Sequence, residues 1–297
     1  MLHGQASLRN WTYVSFGKSA PLTPEASPRF SDELIANIPA GKKHRERYAL
    51  IIGNEAYGKY RLGLPDVAHA RSDARAFRSY AMIFWGIPDE YLFYLEDGTA
   101  VLMRAYIGRL TLLLKTAPAN AEVFFYFAGH GLPDQESGSF VPAAVDEDPF
   151  GSQPATTFLH LVQQLGMDGA LKVLAITDAC FTGSTRDGGN ALATRGARYV
   201  PVTGRLPIGL VHLAASRSGE YAFGWDEKKH GLFTQVLLDC LRVAPATQTW
   251  GIAFEKVRTD VMQKAARLHF ASQEPVLSGH PFTLSEFRKS RIRNLKP

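Results

Sequence analysis

Two short apolar runs, each closing on small residues and one reactive side chain, constrain this chain more than any other feature. The first is VFFYF, followed by AGHG and ending its motif at Gly131; the second is LKVLAIT, followed by Asp178, Ala179 and Cys180. Short runs rich in Val, Ile and Phe, bounded by Gly and polar residues, read as buried strands of a parallel sheet. In an open α/β sheet, ligands bind beyond the carboxyl ends of the strands. The two runs are therefore predicted as strands at Ala121–Ala128 and Leu171–Thr177, delivering His130 and Cys180 to one edge of one sheet, with a further short strand at Phe140–Val145. A thiol attacks as its thiolate, and a neighbouring imidazole lowers its pKa or takes its proton. Gly129 and Gly131 flank the imidazole and let backbone approach a substrate closely. The N–H groups of Gly131 and Cys180 are the candidate oxyanion-hole donors. Taken singly, a Cys is more often a small buried hydrophobe, and a lone His is usually structural. Their joint placement, His first and Cys about 50 residues later, is what points to nucleophilic catalysis.

YFAGHG and TDACFTG resemble the two active-site motifs of the caspase-like cysteine peptidases, in particular the bacterial metacaspase and orthocaspase branch, where the usual forms are YSGHG and D-[AS]-C-[YFH]-[ST]-G. The resemblance runs from about Arg47 to Leu241 and takes in YALIIGNEAYG, LPDVAHARSDARAF, AASRSGEYAF and HGLFTQVLLDCL in the same order. It implies a three-layer α/β fold, a mostly parallel six-stranded sheet with helices on both faces. It implies a Cys–His dyad without a third member. In this family the Asp of an N-D-A motif lines the first specificity pocket; Asp73 holds that place, with Ser72 where the Asn usually stands. Without the resemblance, Asp73 would read as an exposed helical carboxylate paired with Arg71 or Arg75.

Asp178 lies two residues before Cys180, and alternation along an extended segment puts both on one side. A carboxylate there opposes thiolate formation and is a poor base; it suits a cationic substrate side chain. Asp73 and Asp178 together are expected to form an acidic pocket for Arg or Lys before the scissile bond. An Arg fork pairs bidentately with carboxylate, whereas Lys binds as a point charge. Ala128 replaces the family's Ser before G-H-G, which weakens the case for Lys more than for Arg. The expected preference is Arg over Lys. Caspases proper prefer Asp and have a Q-A-C-x-G motif that is absent here. Ser216, in AASRSGEYAF, is expected to contact substrate backbone.

The long aperiodic stretch 181–207 contains Arg186, Arg195, Arg198 and Arg205 among Gly, Ala and Thr. Long loops without pattern are usually functional or disordered. The resemblance implies that cleavage near 182–207, by the enzyme itself or by an upstream protease, activates it; the alternative is a surface loop with solubilising Arg. Residues 1–46 read as an extension, either a prosegment or a loose tail, with Ser31 as the candidate N-cap of a short helical segment. Residues 47–297 form the peptidase domain. Helices are predicted at Val67–Tyr80, Thr99–Leu114, Thr156–Met167, Leu232–Leu241 and Trp250–Leu268, with QEPVLSG as the last edge segment.

Composition narrows the partners. Net charge is +5, from 33 basic and 28 acidic residues, without the aromatic–basic interleaving of a nucleic-acid surface. Two distant Cys give neither a metal spacing nor a disulfide framework, which suits a reducing compartment; Cys240 reads as core. There is no apolar run of roughly 18 residues and no signal-peptide core, so the expected location is cytoplasmic, off the membrane. No cofactor is implied. The run Asp146, Glu147, Asp148 offers oxygen atoms of the kind calcium prefers, and some metacaspases need calcium, but its spacing matches no loop motif. The resulting expectation is a cysteine endopeptidase acting on proteins after basic residues. Its relatives work in stress, cell-death or antiviral defence pathways, some as zymogens. The alternative is a caspase-like scaffold that binds partners without turnover.

Overall fold

The computed structural model describes residues 33–36, 38–133, 140–148, 172–180, 209–217, 220–244, 250–270 and 272–279, except for the side chains of Pro133, Cys180, Trp250 and Ile252. One compact unit runs from Leu34 onward. Its elements are β1 (Arg47–Gly53), α1 (Ala70–Ile83), β2 (Leu92–Glu96), α2 (Ala100–Leu114), β3 (Glu122–Pro133), β4 (Phe140–Pro142), β5 (Lys172–Cys180), β6 (Leu210–Ala214), β7 (Gly224–Trp225), β8 (His230–Gly231), α3 (Leu232–Val243), α4 (Trp250–Arg267) and β9 (Val276–Gly279). The main sheet has the order β2-β1-β3-β5-β6-β9, and β4 adds to the far end of β3. All neighbours along β2, β1, β3, β5 and β6 are parallel; β9 closes the edge antiparallel to β6.

Alternation along the strands builds two cores. Ala49 and Ile51 of β1, Phe124 and Tyr126 of β3, and Leu174 and Ile176 of β5 pack with Phe77 and Tyr80 of α1, Phe233 and Leu237 of α3, and Val257 of α4. Leu50, Ile52, Val123, Phe125, Phe127 and Val173 face the other way, toward Met103, Ile107 and Leu110 of α2. The result is the three-layer α/β arrangement expected. Each fully buried large apolar side chain contributes about 1.5–3 kcal/mol. α1 forms because its apolar and small residues recur at helical spacing; Ala70, Ala74, Phe77 and Ala81 are all buried. It comes so close to β1 that a Cβ on Gly53 would lie 2.5 Å from the Ala70 carbonyl oxygen.

Two features set where the strands end. Arg47 and Glu122 are register partners at the starts of β1 and β3. Arg47 Nε donates to Glu122 at 2.8 Å and its Nη1 to the Trp85 carbonyl at 2.8 Å, pinning that register from the edge opposite the motifs. At the other end, β3 does not stop before His130 and β5 does not stop before Asp178. Both strands run on through the reactive positions, β3 to Pro133 and β5 to Cys180. The physical reason is partner supply: β4 returns antiparallel and pairs Gly131 with Pro142, and β5 itself pairs as far as His130.

Other expectations differ in their bounds or in kind. The predicted helix at Val67–Tyr80 begins at Ala70, after His69 in the left-handed region (φ 69°). Thr99 caps α2, its hydroxyl accepting the Leu102 N–H at 3.3 Å. Residues 33–36 form a turn rather than a helix. Ser31, the helix predicted at Thr156–Met167, and the loop near 182–207 with Arg186, Arg195, Arg198 and Arg205 lie outside the described residues. Among the described residues no helix is long and apolar enough to cross a membrane.

His212 of β6 is buried beside Thr177, its Nε2 2.9 Å from the Thr177 hydroxyl, and burial pushes its pKa down from 6.5 to about 4. The unfolded chain thus takes up a proton at this site near pH 6.5 that the folded chain refuses until about pH 4. The stability this gives is complete above the unfolded pKa and is lost as pH falls through the folded one, about 3 kcal/mol in all. Urea unfolding at pH 7.0, 5.5 and 4.5 should show His212→Gln losing less stability than wild type on acidification; parallel losses would contradict this.

Candidate active site

The winding of the sheet reverses between β1 and β3, since β2 lies on one side of β1 while β3, β5 and β6 follow on the other. Crevices at such switch points are where open α/β sheets bind ligands. His130 stands at this point on β3 and is the register partner of Cys180 on β5. Neighbouring strands run about 4.8 Å apart, so the two reactive positions are adjacent. Ala128 and Asp178 pair in the same way two residues earlier.

His130 is buried and oriented by backbone. Its Nε2 lies 2.8 Å from the Pro65 carbonyl oxygen. A carbonyl only accepts, so Nε2 carries the proton and Nδ1 is the basic nitrogen of the neutral ring. Tyr57 packs its ring edge-on against the imidazole, with centroids 4.6 Å apart, and its hydroxyl accepts the His130 backbone N–H at 3.0 Å. The His130 carbonyl accepts the Ala143 N–H at 3.0 Å on the same side. Alternation along the strand turns the Gly131 N–H the other way, toward β5. A backbone carbonyl leaves no trace in a sequence motif, which is why Pro65 was not legible; Tyr57 sits inside YALIIGNEAYG but carries no motif of its own.

The two carboxylates sit together, though not in the way expected. Asp73 is fully buried; it accepts from His230 Nδ1 at 2.9 Å and from the Gly231 N–H at 2.9 and 3.0 Å. Neither Arg71 nor Arg75 pairs with it: Arg71 bonds Asp97, and Arg75 forks onto Glu96 at 2.6 and 2.8 Å. Asp178, also fully buried, accepts the Thr234 N–H at 3.2 Å and the Thr234 hydroxyl at 2.7 Å. The Tyr126 hydroxyl stands 2.7 Å from the Thr234 hydroxyl. The first N–H groups of a helix lack intrahelical partners, and Gly231, the N-cap of α3, has no side chain to offer. Asp73 and Asp178 supply that cap from neighbouring elements, one from each side. His230 and Thr234 belong to HGLFT, whose part in holding the carboxylates the motif did not reveal.

Ser216 is buried, and its hydroxyl points to the Glu220 carbonyl at 3.5 Å rather than outward. Its loop is held by Gln273, whose side chain donates to the Ala215 carbonyl at 3.1 Å and accepts the Phe223 N–H at 3.0 Å. The acidic run is not gathered into a calcium cage. Asp146 accepts the Ala100 N–H at 2.7 Å at the start of α2, Glu147 is buried and Asp148 exposed. Among the described residues, no three His, Cys, Asp or Glu side chains are placed to hold a metal. Cys240 is core, its thiol pushed up to about 11, first by burial and then by Asp260.

A family model described as a caspase domain matches residues 46–285. Among solved structures, the crystal structure of caspase-1 from Spodoptera frugiperda is similar at 15% identity, covering 84% of this chain and 92% of that one with a TM-score of 0.56. No curated protein matches in sequence.

Thr234→Val removes the shorter bond to a buried carboxylate and should cost about 1–3 kcal/mol. Urea denaturation checks this; an unchanged midpoint would show that the α3 cap does not hold Asp178.

Proposed function

This chain belongs to the caspase-domain family of cysteine peptidases, and from that premise we propose that it is an endopeptidase whose dyad is Cys180 and His130. The register pairing of these two positions on adjacent strands is the observation that carries the reading. The thiol proton passes to Nδ1, the basic nitrogen in the tautomer that the Pro65 carbonyl selects. Sulfur attacks the scissile carbonyl carbon, and the electron pair moves to oxygen. The Gly131 and Cys180 N–H groups receive that oxyanion. Collapse breaks the C–N bond, the imidazolium gives its proton to the leaving amine, and water then cleaves the thioester. The Pro65 carbonyl steadies the imidazolium between these steps.

Asp73 and Asp178 are the residues we assign to a basic P1 side chain, Arg before Lys, with Ser216 in the cleft wall. Two carboxylates meeting at one helix end support an Arg pocket, because a guanidinium can replace the donors now drawn from His230 and Thr234. Their burial, with that of His130 and Ser216, supports a latent form, opened by cleavage near 182–207 at Arg186, Arg195, Arg198 or Arg205. The motif forms support a metacaspase-like enzyme, which we assign to the cytoplasm and to regulated proteolysis of the stress, cell-death or antiviral kind. The same burial is what a partner-binding scaffold without turnover would show, which keeps that second reading open to test.

A fluorogenic panel with Arg, Lys, Asp or Asn at P1, with and without calcium, decides between them. The expected result is turnover after Arg, weaker after Lys, abolished in Cys180→Ala and reduced about 10²–10⁴-fold in His130→Ala. No turnover by either the intact protein or protein nicked within 182–207 would establish the scaffold instead. Intact mass tests self-processing: wild type should lose mass on incubation while Cys180→Ala does not, and identical masses would assign the cut to another protease.

A further inference from the structure

Tyr57 makes contacts that a Cys–His dyad does not by itself require. Its hydroxyl accepts the His130 N–H at 3.0 Å and donates to the Ala143 carbonyl at 3.0 Å. The Ala143 N–H returns to the His130 carbonyl at 3.0 Å. These three bonds close a ring through Tyr57, Ala143 and His130. Asn54 braces it, its side-chain amide donating to the same Ala143 carbonyl at 2.8 Å. The ring needs a group that donates and accepts at once, which a phenol does and a phenolate cannot. Tyr57 is buried at 1% exposure, and burial raises its pKa, so the hydroxyl keeps its proton.

The ring grips both peptide planes that meet at His130. One is held through its N–H by Tyr57, the other through its carbonyl by Ala143. No peptide bond among the described residues is cis, so the His130 carbonyl and the Gly131 N–H point in opposite directions. Asn54 N–H bonds the Ala128 carbonyl, which fixes that side of β3 as the β1 side. The His130 carbonyl, two residues on, lies on the same side, and the Gly131 N–H points the other way, toward β5, where the register gives it the Cys180 carbonyl as its ladder acceptor. Residue 129 must be small for this to work: a Cβ on Gly129 would lie 2.6 Å from the Tyr57 hydroxyl, at a φ of 154°.

We infer that Tyr57 is a positioning residue for the proposed peptidase reaction, and that its hydroxyl, through the ring with Ala143 and His130, holds the Gly131 N–H at this seam, where it serves as an oxyanion donor once substrate takes the place of the Cys180 carbonyl. The inference rests on the peptidase reading of the same site. It separates two properties that ordinary damage to the dyad would join. Alkylation of Cys180 by iodoacetamide displaces iodide at a saturated carbon and forms no oxyanion. A peptide aldehyde accepts the sulfur at its carbonyl carbon, the carbonyl electron pair moving to oxygen with no group leaving, and so it reports the donor directly.

The experiment compares wild type and Tyr57→Phe in the form, intact or nicked, that turns over an Arg peptide. In the variant kcat should fall about 10–100-fold with KM within about twofold, somewhat less than outright loss of a donor. The Ki of the matching peptide aldehyde should rise by the same factor, while the iodoacetamide rate at Cys180 stays within about twofold. Asn54→Ala, which removes the brace on the same carbonyl, should give the same split at smaller size and stands in if Tyr57→Phe does not fold. Unchanged kcat and Ki, or an alkylation rate that falls with them, overturns the role of Tyr57 and leaves the peptidase reading standing. A wild type with neither turnover nor Cys180-selective alkylation overturns both.

Discussion

The parallel pairing of β3 with β5 is the interaction on which the rest of the site depends. Nine consecutive register pairs, from Glu122 with Lys172 to His130 with Cys180, run the whole length of β5. Each strand is buried on both faces, so a slip of one residue would exchange Phe124 and Tyr126 with Val123 and Phe125 between two differently shaped cores. That cost fixes the register, and the register fixes the distance between the reactive positions. The Arg47–Glu122 pair at the opposite edge fixes β1 against β3 in the same way, which sets how far the chain overshoots before Tyr57 turns back onto His130.

A second constraint is the start of α3. A helix that begins at a glycine with no capping side chain must find acceptors elsewhere for its first N–H groups. Asp73 and Asp178 meet that need, and in doing so they are drawn from α1 and β5 to one turn. The same two groups are those assigned to a basic P1 residue. On the proposed reading the two roles compete: a substrate guanidinium reaching them must outdo donors already in place. That competition is the physical basis of the latency proposed above, since any rearrangement that loosens residues 230–234 makes the carboxylates available.

The features read from sequence were those written in side-chain pattern. The buried strands, the face alternation and α1, α2, α3 and α4 follow from apolar periodicity and from small residues at strand ends; the last edge segment came from the resemblance of QEPVLSG, and its antiparallel direction was not read. What was missed lies in backbone and in long-range partners. The ends of β3 and β5 were placed too early because what extends them is long-range pairing, the antiparallel return of Phe140–Pro142 onto β3 and the pairing of Cys180 with His130. Asp73 looked exposed, or paired with a helical Arg, because its partners His230 and Gly231 are 157 and 158 residues away. The Pro65 carbonyl and the ring through Ala143 are main-chain groups, which every residue possesses and no motif marks.

The proposed function assigns position 180 a nucleophile made reactive by His130. The protein supplies its own control, because its other thiol, Cys240, is buried and pushed up to about 11 by burial and by Asp260, and should be inert. The most direct measurement is peptide mapping after treatment with an arginyl acyloxymethyl ketone. The account predicts a single adduct on Cys180, absent in His130→Ala. An adduct on Cys240, or labelling of Cys180 that persists at full rate without His130, would contradict it.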